Sequence, residues 1–171
     1  PGALADKNEA ARGLSFLGAG IYDPHIPPAV DQLLLRSEFY PSYTPYQAEV
    51  SQGTLQAIFE FQTLVSELFG LDVANASMYD AASAVAEAAL MARRATKRRE
   101  IVCSRALHPE YVEVTRTYLT GIDDDGPHLR LAPDTPEGTT DLDALAGLVT
   151  EETAAVVIGY PSFFGAVEDV A

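Results

Sequence analysis

The sequence predicts an α/β fold in which a parallel-rich sheet is covered by helices on both faces. Short apolar segments alternate with helical segments over the last two thirds of the 171 residues. The apolar segments contain almost no polar residue, as in AAVVIGY at 154–160. Strands that are buried on both faces have this continuous apolar character, which is typical of parallel sheets. We expect about four strands, which would form a small sheet with open edges.

The chain is predicted to divide into an irregular N-terminal part with a short helix, residues 1–50, and a partial α/β large domain of a longer chain, residues 51–171. The short helix is expected to begin at Pro27 and Pro28, because proline suits the first helical turn, and to end near Phe39.

A longer helix is predicted from its N-cap Ser51 to about Phe69, and Gly70 is its expected stop. Six apolar residues are spaced for one buried stripe along this helix: Leu55, Ile58, Phe59, Leu64, Val65 and Leu68. The segment LDVAN, residues 71–75, then predicts a short buried strand.

The remaining elements alternate between helix and strand. An alanine-rich helix capped by Asp80 or Ser83 is expected to extend to about Arg94. The next helices are predicted from His108 and Pro109 to near Gly121, and from the cap Asp141 to about Val149. Strands are predicted at 101–104, 128–132 and 154–160.

Composition excludes several classes of function. The net charge is −14, which argues against nucleic acid and against an anionic membrane surface as partners, since both attract clustered Lys and Arg. No apolar run approaches the length of a transmembrane helix. The single cysteine, Cys103, excludes an internal disulfide and favours a reducing compartment, the cytoplasm.

Metal and nucleophile chemistry are not predicted. His25, His108 and His128 lie far apart and are expected to be surface or capping residues. The sequence has no G-x-S-x-G motif, and Cys103 lies on a predicted buried strand. The two lysines, Lys7 and Lys97, lie in polar surroundings, so neither is a credible Schiff-base residue.

The richest candidate site is the tyrosine-rich segment FYPSYTPYQAEVSQG, residues 39–53. It supplies hydroxyls, amides and one carboxylate just before a helix, from Tyr43, Thr44, Tyr46, Gln47, Glu49 and Gln52. Such a set can orient a small amino acid and its carboxylate by hydrogen bonds. An aromatic loop packed at a subunit interface is the alternative that the residues leave open.

A second candidate is NASMYDAAS, residues 75–83, which enters a predicted helix. Backbone N–H groups at a helix N-terminus attract anions, and Ser77 or Ser83 would add a hydroxyl for a phosphate. Ordinary capping by Asp80 is the alternative, and its carboxylate would repel a phosphate.

The stretch from the tyrosine-rich segment to the second candidate, residues 43–80, resembles the P-protein of the glycine cleavage system, glycine dehydrogenase (decarboxylating). The most specific motifs are Y-T-P-Y-Q followed by E-V-S-Q-G. The resemblance continues through HPEY at 108–111 and YPSFFGAVEDV at 160–170. Met78-Tyr79-Asp80 is similar to the separate first subunit of the two-subunit form. Family members are longer, so the sequence is expected to be a middle fragment.

The resemblance implies a truncated large domain of the fold type I, aminotransferase-like, pyridoxal-phosphate enzymes. It implies that glycine loses CO2 and that the remaining aminomethyl group passes to the lipoyl arm of H-protein. The Schiff-base lysine is then expected on P-protein subunit 2, in a cytoplasmic heterotetramer, and this fragment alone is expected to be inactive.

The resemblance also implies roles for single residues. Tyr43, Tyr46 and Glu49 are expected to be catalytic, and Thr44, Gln47 and Gln52 to bind glycine or the cofactor. Ser77 and Ser83 match a cofactor-phosphate loop that is vestigial in the first subunit. The alternatives are another fold type I decarboxylase or aminotransferase, with its lysine in the missing segment, and a non-catalytic structural subunit.

Overall fold

The computed structural model describes residues 2–7, 13–14, 24–40, 43–121 and 128–169. The chain divides into two compact units. The sheet unit comprises Pro1–Tyr22 and Asp80–Ala171, and the helical unit comprises Asp23–Tyr79. Within the N-terminal part that was predicted to be irregular, residues 1, 8–12, 15–23 and 41–42 lie outside the described residues. The described residues there include a short helix α1, Gly2–Ala5, and the two helical segments of the helical unit given below. The boundary at residue 50 stays a prediction.

The sheet unit is built on three parallel strands in the order β2-β1-β3. They are β1, Glu100–Ser104; β2, Leu129–Ala132; and β3, Thr153–Val157. The predicted parallel pairing is confirmed. The expected number of about four was wrong for the described residues, because the segment at 71–75 forms no strand.

The central strand β1 carries the core. Ile101 is paired with Leu129 on one side and Ala155 on the other. Residues 101–104 are all buried. Successive side chains of a strand point to opposite faces, so both faces of the sheet are covered at β1. Val156 on β3 is 40% exposed, which shows that the cover does not extend over the whole of β3.

Three helices cover this sheet. They are α4, Ala81–Thr96; α5, Pro109–Leu119; and α6, Leu142–Leu148. Helix α4 packs against α5 and β3, whereas α6 packs against β1 and β2. One apolar cluster joins Ile101 and Cys103 to Ala89 of α4 and Val112 of α5.

The predicted N-caps of these helices are confirmed. The side chains of Asp80, His108 and Asp141 accept hydrogen bonds from the amides of Ser83, Glu110 and Ala144 at 2.7, 3.2 and 2.9 Å. Capping is a local interaction between residues two or three apart, so it can be predicted from sequence alone.

The helical unit contains α2, Pro28–Leu34; a 3₁₀ helix, Ala48–Val50; and α3, Gln52–Phe69. Helix α2 is shorter than predicted, because hydrogen-bonded turns replace it between Leu35 and Tyr40. Helix α3 begins directly after Ser51, although the Ser51 side chain makes no capping hydrogen bond. None of the described helices is both long enough and apolar enough to span a membrane.

Two expectations for the helical unit were wrong. The segment 71–75 is not a strand; residues 71–73 are exposed, and the side-chain amide of Gln62 donates to the carbonyl of Ala74 at 2.7 Å. The stripe on α3 is not buried either, since Phe59, Leu64 and Leu68 are 66, 64 and 79% exposed. The spacing of apolar residues identifies which face of a helix can pack against another element, but it does not show that such an element is present.

Gly70 ends α3 in a left-handed conformation, with φ of 66°. No atom lies within 4 Å of the position of an added Cβ, so Gly70→Ala meets backbone strain and no clash. We expect this substitution in the full-length protein to lower the free energy of unfolding by about 1 kcal/mol. Gly53→Ala, near the start of the same helix, is the control and should not destabilise. Equal decreases in the free energy of unfolding of the two variants, measured in urea, would contradict the explanation by backbone strain.

Candidate functional site

The candidate site lies on the segment Tyr43–Gln52, called here the tyrosine loop, in the helical unit. Tyr43 and Tyr46 are 85 and 81% exposed, and their ring centroids lie 6.4 Å apart with a tilt of 49°. The amide of Tyr46 donates to the carbonyl of Thr44 at 2.8 Å, in a tight turn between the two rings. Two accessible phenol hydroxyls are therefore held on neighbouring rings.

The polar half of the loop is organised by the 3₁₀ helix. Gln47 occupies its N-cap position, Glu49 lies within it, and Gln52 is the first residue of α3. All three side chains are exposed. The Glu49 side chain makes no hydrogen bond or ion pair to another described residue, so its carboxylate is available to a ligand or to a neighbouring chain. All six predicted site residues of this segment are exposed in the structure.

A groove of about 430 Å³ begins at the end of this loop and was not predicted from the sequence. Its polar lining comes from Glu38, Ser51, Thr54, Gln56 and Glu60. These residues come from a turn and a helix, and no motif in the sequence joins them. None of the predicted site residues lines the groove.

Two glutamates line the groove, Glu38 and Glu60, and an arginine pairs with the first. The Arg36 guanidinium lies 2.6 Å from the Glu38 carboxylate. Hydrogen bonds from Arg36, followed by a backbone hydrogen bond and the charge of Arg36, lower the pKa of Glu38 to about 2. Glu38 is therefore ionised at neutral pH, although the exposed pair is screened by solvent. Glu60 accepts a hydrogen bond from Gln56 at 2.8 Å. Both carboxylates of the groove therefore already accept hydrogen bonds within the helical unit.

In the second predicted segment, 75–83, both predicted serines make local hydrogen bonds. Ser77 lies in the helical unit at φ 115°, and its amide donates to the Asn75 side chain at 3.1 Å. Ser83 belongs to the sheet unit, where Asp80 accepts from its amide at 2.7 Å and from its hydroxyl at 3.2 Å. The N-terminus of α4 therefore already holds an anionic group, the Asp80 carboxylate, which would repel a phosphate.

Asp80 is the N-cap of α4, and its contribution is testable. Asp80→Ala removes the acceptor for the Ser83 amide, and we expect it to lower the free energy of unfolding of the full-length protein by about 1 kcal/mol. Asp80→Asn is the matched control, because asparagine caps helices about as well as aspartate. Urea unfolding of both variants measures the difference. An equal decrease in the free energy of unfolding of both variants would show that the capping hydrogen bond does not contribute.

The two lysines and the cysteine of this chain are not suited to anchor a cofactor covalently. Lys7 is exposed, and Lys97 is an exposed residue in the left-handed conformation at the end of α4. Burial raises the pKa of the Cys103 thiol to about 11, although the charge of Arg116 opposes this. Cys103 is therefore a protonated core residue. Among the described residues, no cluster of three or more His, Cys, Asp and Glu could hold a metal ion.

A buried polar cluster at the carboxyl edge of the sheet was also missed by sequence reasoning. The Thr140 hydroxyl lies 2.7 Å from the hydroxyl of Ser104 and 2.8 Å from the carboxylate of Glu168. Beside it, the His108 ring stacks on Tyr111 with centroids 4.7 Å apart and meets the edge of Phe163 at 5.0 Å. One indication of this cluster was available in the sequence, which was the position of Ser104 at the end of a predicted strand.

Comparisons with known proteins identify the family. The family model for the glycine cleavage system P-protein matches residues 2–171. A relative in Sorangium cellulosum is 60% identical over 98% of this chain and 37% of its own length. One in Geobacillus thermodenitrificans is 56% identical over 97% of this chain and 36% of its own. Both are named as probable glycine dehydrogenase (decarboxylating) subunit 1.

A solved structure is similar too. The crystal structure of glycine decarboxylase (P-protein) of the glycine cleavage system, in inhibitor-bound form, matches with a TM-score of 0.80 and 46% identity. The match covers 98% of this chain and 38% of that one. The predicted fold class, a truncated α/β large domain of this enzyme type, is thereby confirmed. The chain spans little more than a third of the relatives it matches, and it belongs to the glycine cleavage system P-protein family.

Proposed function

We propose that this chain is a segment of subunit 1 of glycine dehydrogenase (decarboxylating), the enzyme that decarboxylates glycine and passes the aminomethyl group to the lipoyl arm of H-protein. The tyrosine loop carries the proposal, since it presents two neighbouring phenols and a carboxylate without a partner among the described residues. The relatives named as this subunit support the choice of reaction.

The loop residues complement the two ends of glycine. In the proposal, the hydroxyls of Tyr43 and Tyr46 donate to the glycine carboxylate, and the Glu49 carboxylate accepts from its ammonium group. Thr44, Gln47 and Gln52 supply further hydrogen bonds that fix the orientation. Orientation matters because a reactant that is already held in the reactive geometry has a lower entropic barrier to reaction.

Pyridoxal phosphate is the cofactor that this reaction calls for, and when bound it supplies the electron sink for decarboxylation. The residues of this chain do not fit its anchors, because neither lysine is buried and Asp80 closes the N-terminus of α4. In the proposal the covalent anchor belongs to P-protein subunit 2, and Ser77 and Ser83 hold no phosphate. The working assembly is a cytoplasmic heterotetramer that receives lipoylated H-protein.

Mixing the full-length protein with the lysine-bearing subunit tests the proposal, with glycine–bicarbonate exchange as the measurement. We expect exchange from the mixture and none from this subunit alone. Covalent trapping of the cofactor with borohydride on a lysine of the full-length chain itself would instead support another fold type I decarboxylase or aminotransferase. Full exchange by the partner alone would show a non-catalytic structural subunit.

A further inference from the structure

A chain of hydrogen bonds from Ser104 through Thr140 to Glu168 joins the carboxyl end of β1 to the segments that follow β2 and β3. Ser104 ends β1, Thr140 lies in the loop after β2, and Glu168 lies in the segment after β3. All three are buried, at 0, 3 and 6% exposure. A buried carboxylate is costly unless its oxygens accept hydrogen bonds, so its presence indicates a specific set of contacts.

Thr140 supplies those contacts to Glu168 through its amide and its hydroxyl. The amide of Thr140 donates to both carboxylate oxygens at 3.0 Å, and the Thr140 hydroxyl lies 2.8 Å from one of them. The Ser104 hydroxyl lies 2.7 Å from that of Thr140 and accepts from the amide of Ala106 at 3.0 Å. A hydroxyl has one hydrogen, so both short contacts are satisfied when Ser104 donates to Thr140 and Thr140 donates to Glu168.

Further bonds attach the same segments. The Ser162 hydroxyl donates to the carbonyl of Gly138 at 2.8 Å, and the amide of Phe163 donates to the carbonyl of Ala106 at 2.7 Å. Gly138 has φ of 81°, and a Cβ there would lie 2.9 Å from the Cβ of Phe164. The segment after β3 is therefore hydrogen-bonded to the segments after β1 and β2, and it packs closely against Gly138.

This segment holds the ring of Phe163 against His108. The Nδ1 atom of His108 accepts a hydrogen bond from the amide of Glu110, so the neutral ring carries its proton on Nε2. His108 is only half-buried. Ligands of open parallel α/β sheets bind at the carboxyl ends of the strands, which is where this ring lies.

We propose that Glu168 is a positioning residue that fixes the segment after β3 on the carboxyl edge, holds Phe163 against His108 and so sets the orientation of the His108 ring. The proposal deepens the proposed function, because this edge would be part of the glycine-exchanging assembly. Glu168 acts through other residues and needs no contact with substrate.

The test compares Glu168→Gln, Phe163→Leu and the double variant in the full-length protein, by two measurements. The first is the rate at which diethyl pyrocarbonate modifies His108, followed by mass spectrometry without the partner subunit. We expect Glu168→Gln to raise this rate by about tenfold, the factor for weakening one charge-assisted hydrogen bond. Phe163→Leu should also raise the rate, because it removes the ring that meets His108. The double variant should react no faster than the faster single variant, because both changes release the same ring.

Asp169→Asn, at the exposed neighbouring carboxylate, is the matched control and should leave the rate unchanged. Thr140→Val replaces Glu168→Gln if that variant does not fold. An unchanged His108 rate, or additive effects in the double variant, would overturn the proposal. The second measurement, kcat/KM for glycine exchange, should fall in Glu168→Gln by a similar factor at a temperature well below the midpoint of thermal unfolding of that variant. Absence of exchange in the wild-type mixture would refute only the proposed function, since the modification rates remain informative.

Discussion

Replacing Tyr46 by phenylalanine, or Glu49 by alanine, in the full-length protein is expected to lower kcat/KM for glycine–bicarbonate exchange by about ten- to a hundredfold, the range for one hydrogen bond to a charged group. Phenylalanine keeps the ring beside Tyr43 and removes only the hydroxyl. Alanine removes the carboxylate that would accept from the glycine ammonium group. The exchange assay with the lysine-bearing subunit measures both losses.

Stability should not change in these variants. The Tyr46 side chain is 81% exposed, and Glu49 has no partner among the described residues, so neither substitution opens a cavity. Tyr118→Phe and Glu67→Ala, which alter the same chemical groups outside the loop, are the controls and should retain full exchange. If Tyr46→Phe and Glu49→Ala both leave exchange untouched, the assignment of the loop is wrong.

Truncating the centre of the sheet is expected to have the largest effect on stability. Ile101 is fully buried on the central strand and belongs to the apolar cluster shared with α4 and α5. Ile101→Ala removes buried methyl groups and leaves a cavity that the rigid pairing on both sides cannot close. We expect the free energy of unfolding of the full-length protein to fall by about 2–5 kcal/mol, measured in urea.

Val156 provides the comparison for that measurement. It lies on β3 and is 40% exposed, so Val156→Ala should cost less than about 1 kcal/mol. The difference between the two variants separates burial from strand propensity, because both remove a β-branched side chain from a strand. Similar losses from both would show that the cavity is not the cause.

The features that sequence predicted correctly are those determined by near neighbours. The caps Asp80, His108 and Asp141 each bond an amide two or three residues away. The apolar runs at 101–104 and 154–160 predicted parallel strands, because such strands are commonly buried on both faces. That reason holds for β1, whereas β3 ends at Val157, short of the predicted residue 160, and is only partly covered. The tyrosine loop stays a prediction; it could be proposed from sequence because its polar groups are contiguous in the chain.

The features that sequence missed depend on residues far apart. Glu168 and Thr140 are separated by 28 positions, and Thr140 and Ser104 by 36, so no local pattern marks the buried cluster. The groove beside the loop likewise combines Glu38 with Glu60 of α3. The segment 71–75 has the composition of a strand, but strand formation also requires a neighbouring strand to accept its hydrogen bonds.

The place of β1 at the centre of the sheet affects how the protein is made. Both strands that pair with β1 come later in the sequence, with Ile101 joined to Leu129 and to Ala155. On the ribosome, β1 therefore emerges before either partner strand has been translated. Until then its backbone is unpaired, and the neighbouring strands do not cover its apolar side chains. Pairings of this kind form slowly and expose the nascent chain to aggregation. Production at low temperature or with added chaperones should accordingly raise the yield of folded protein.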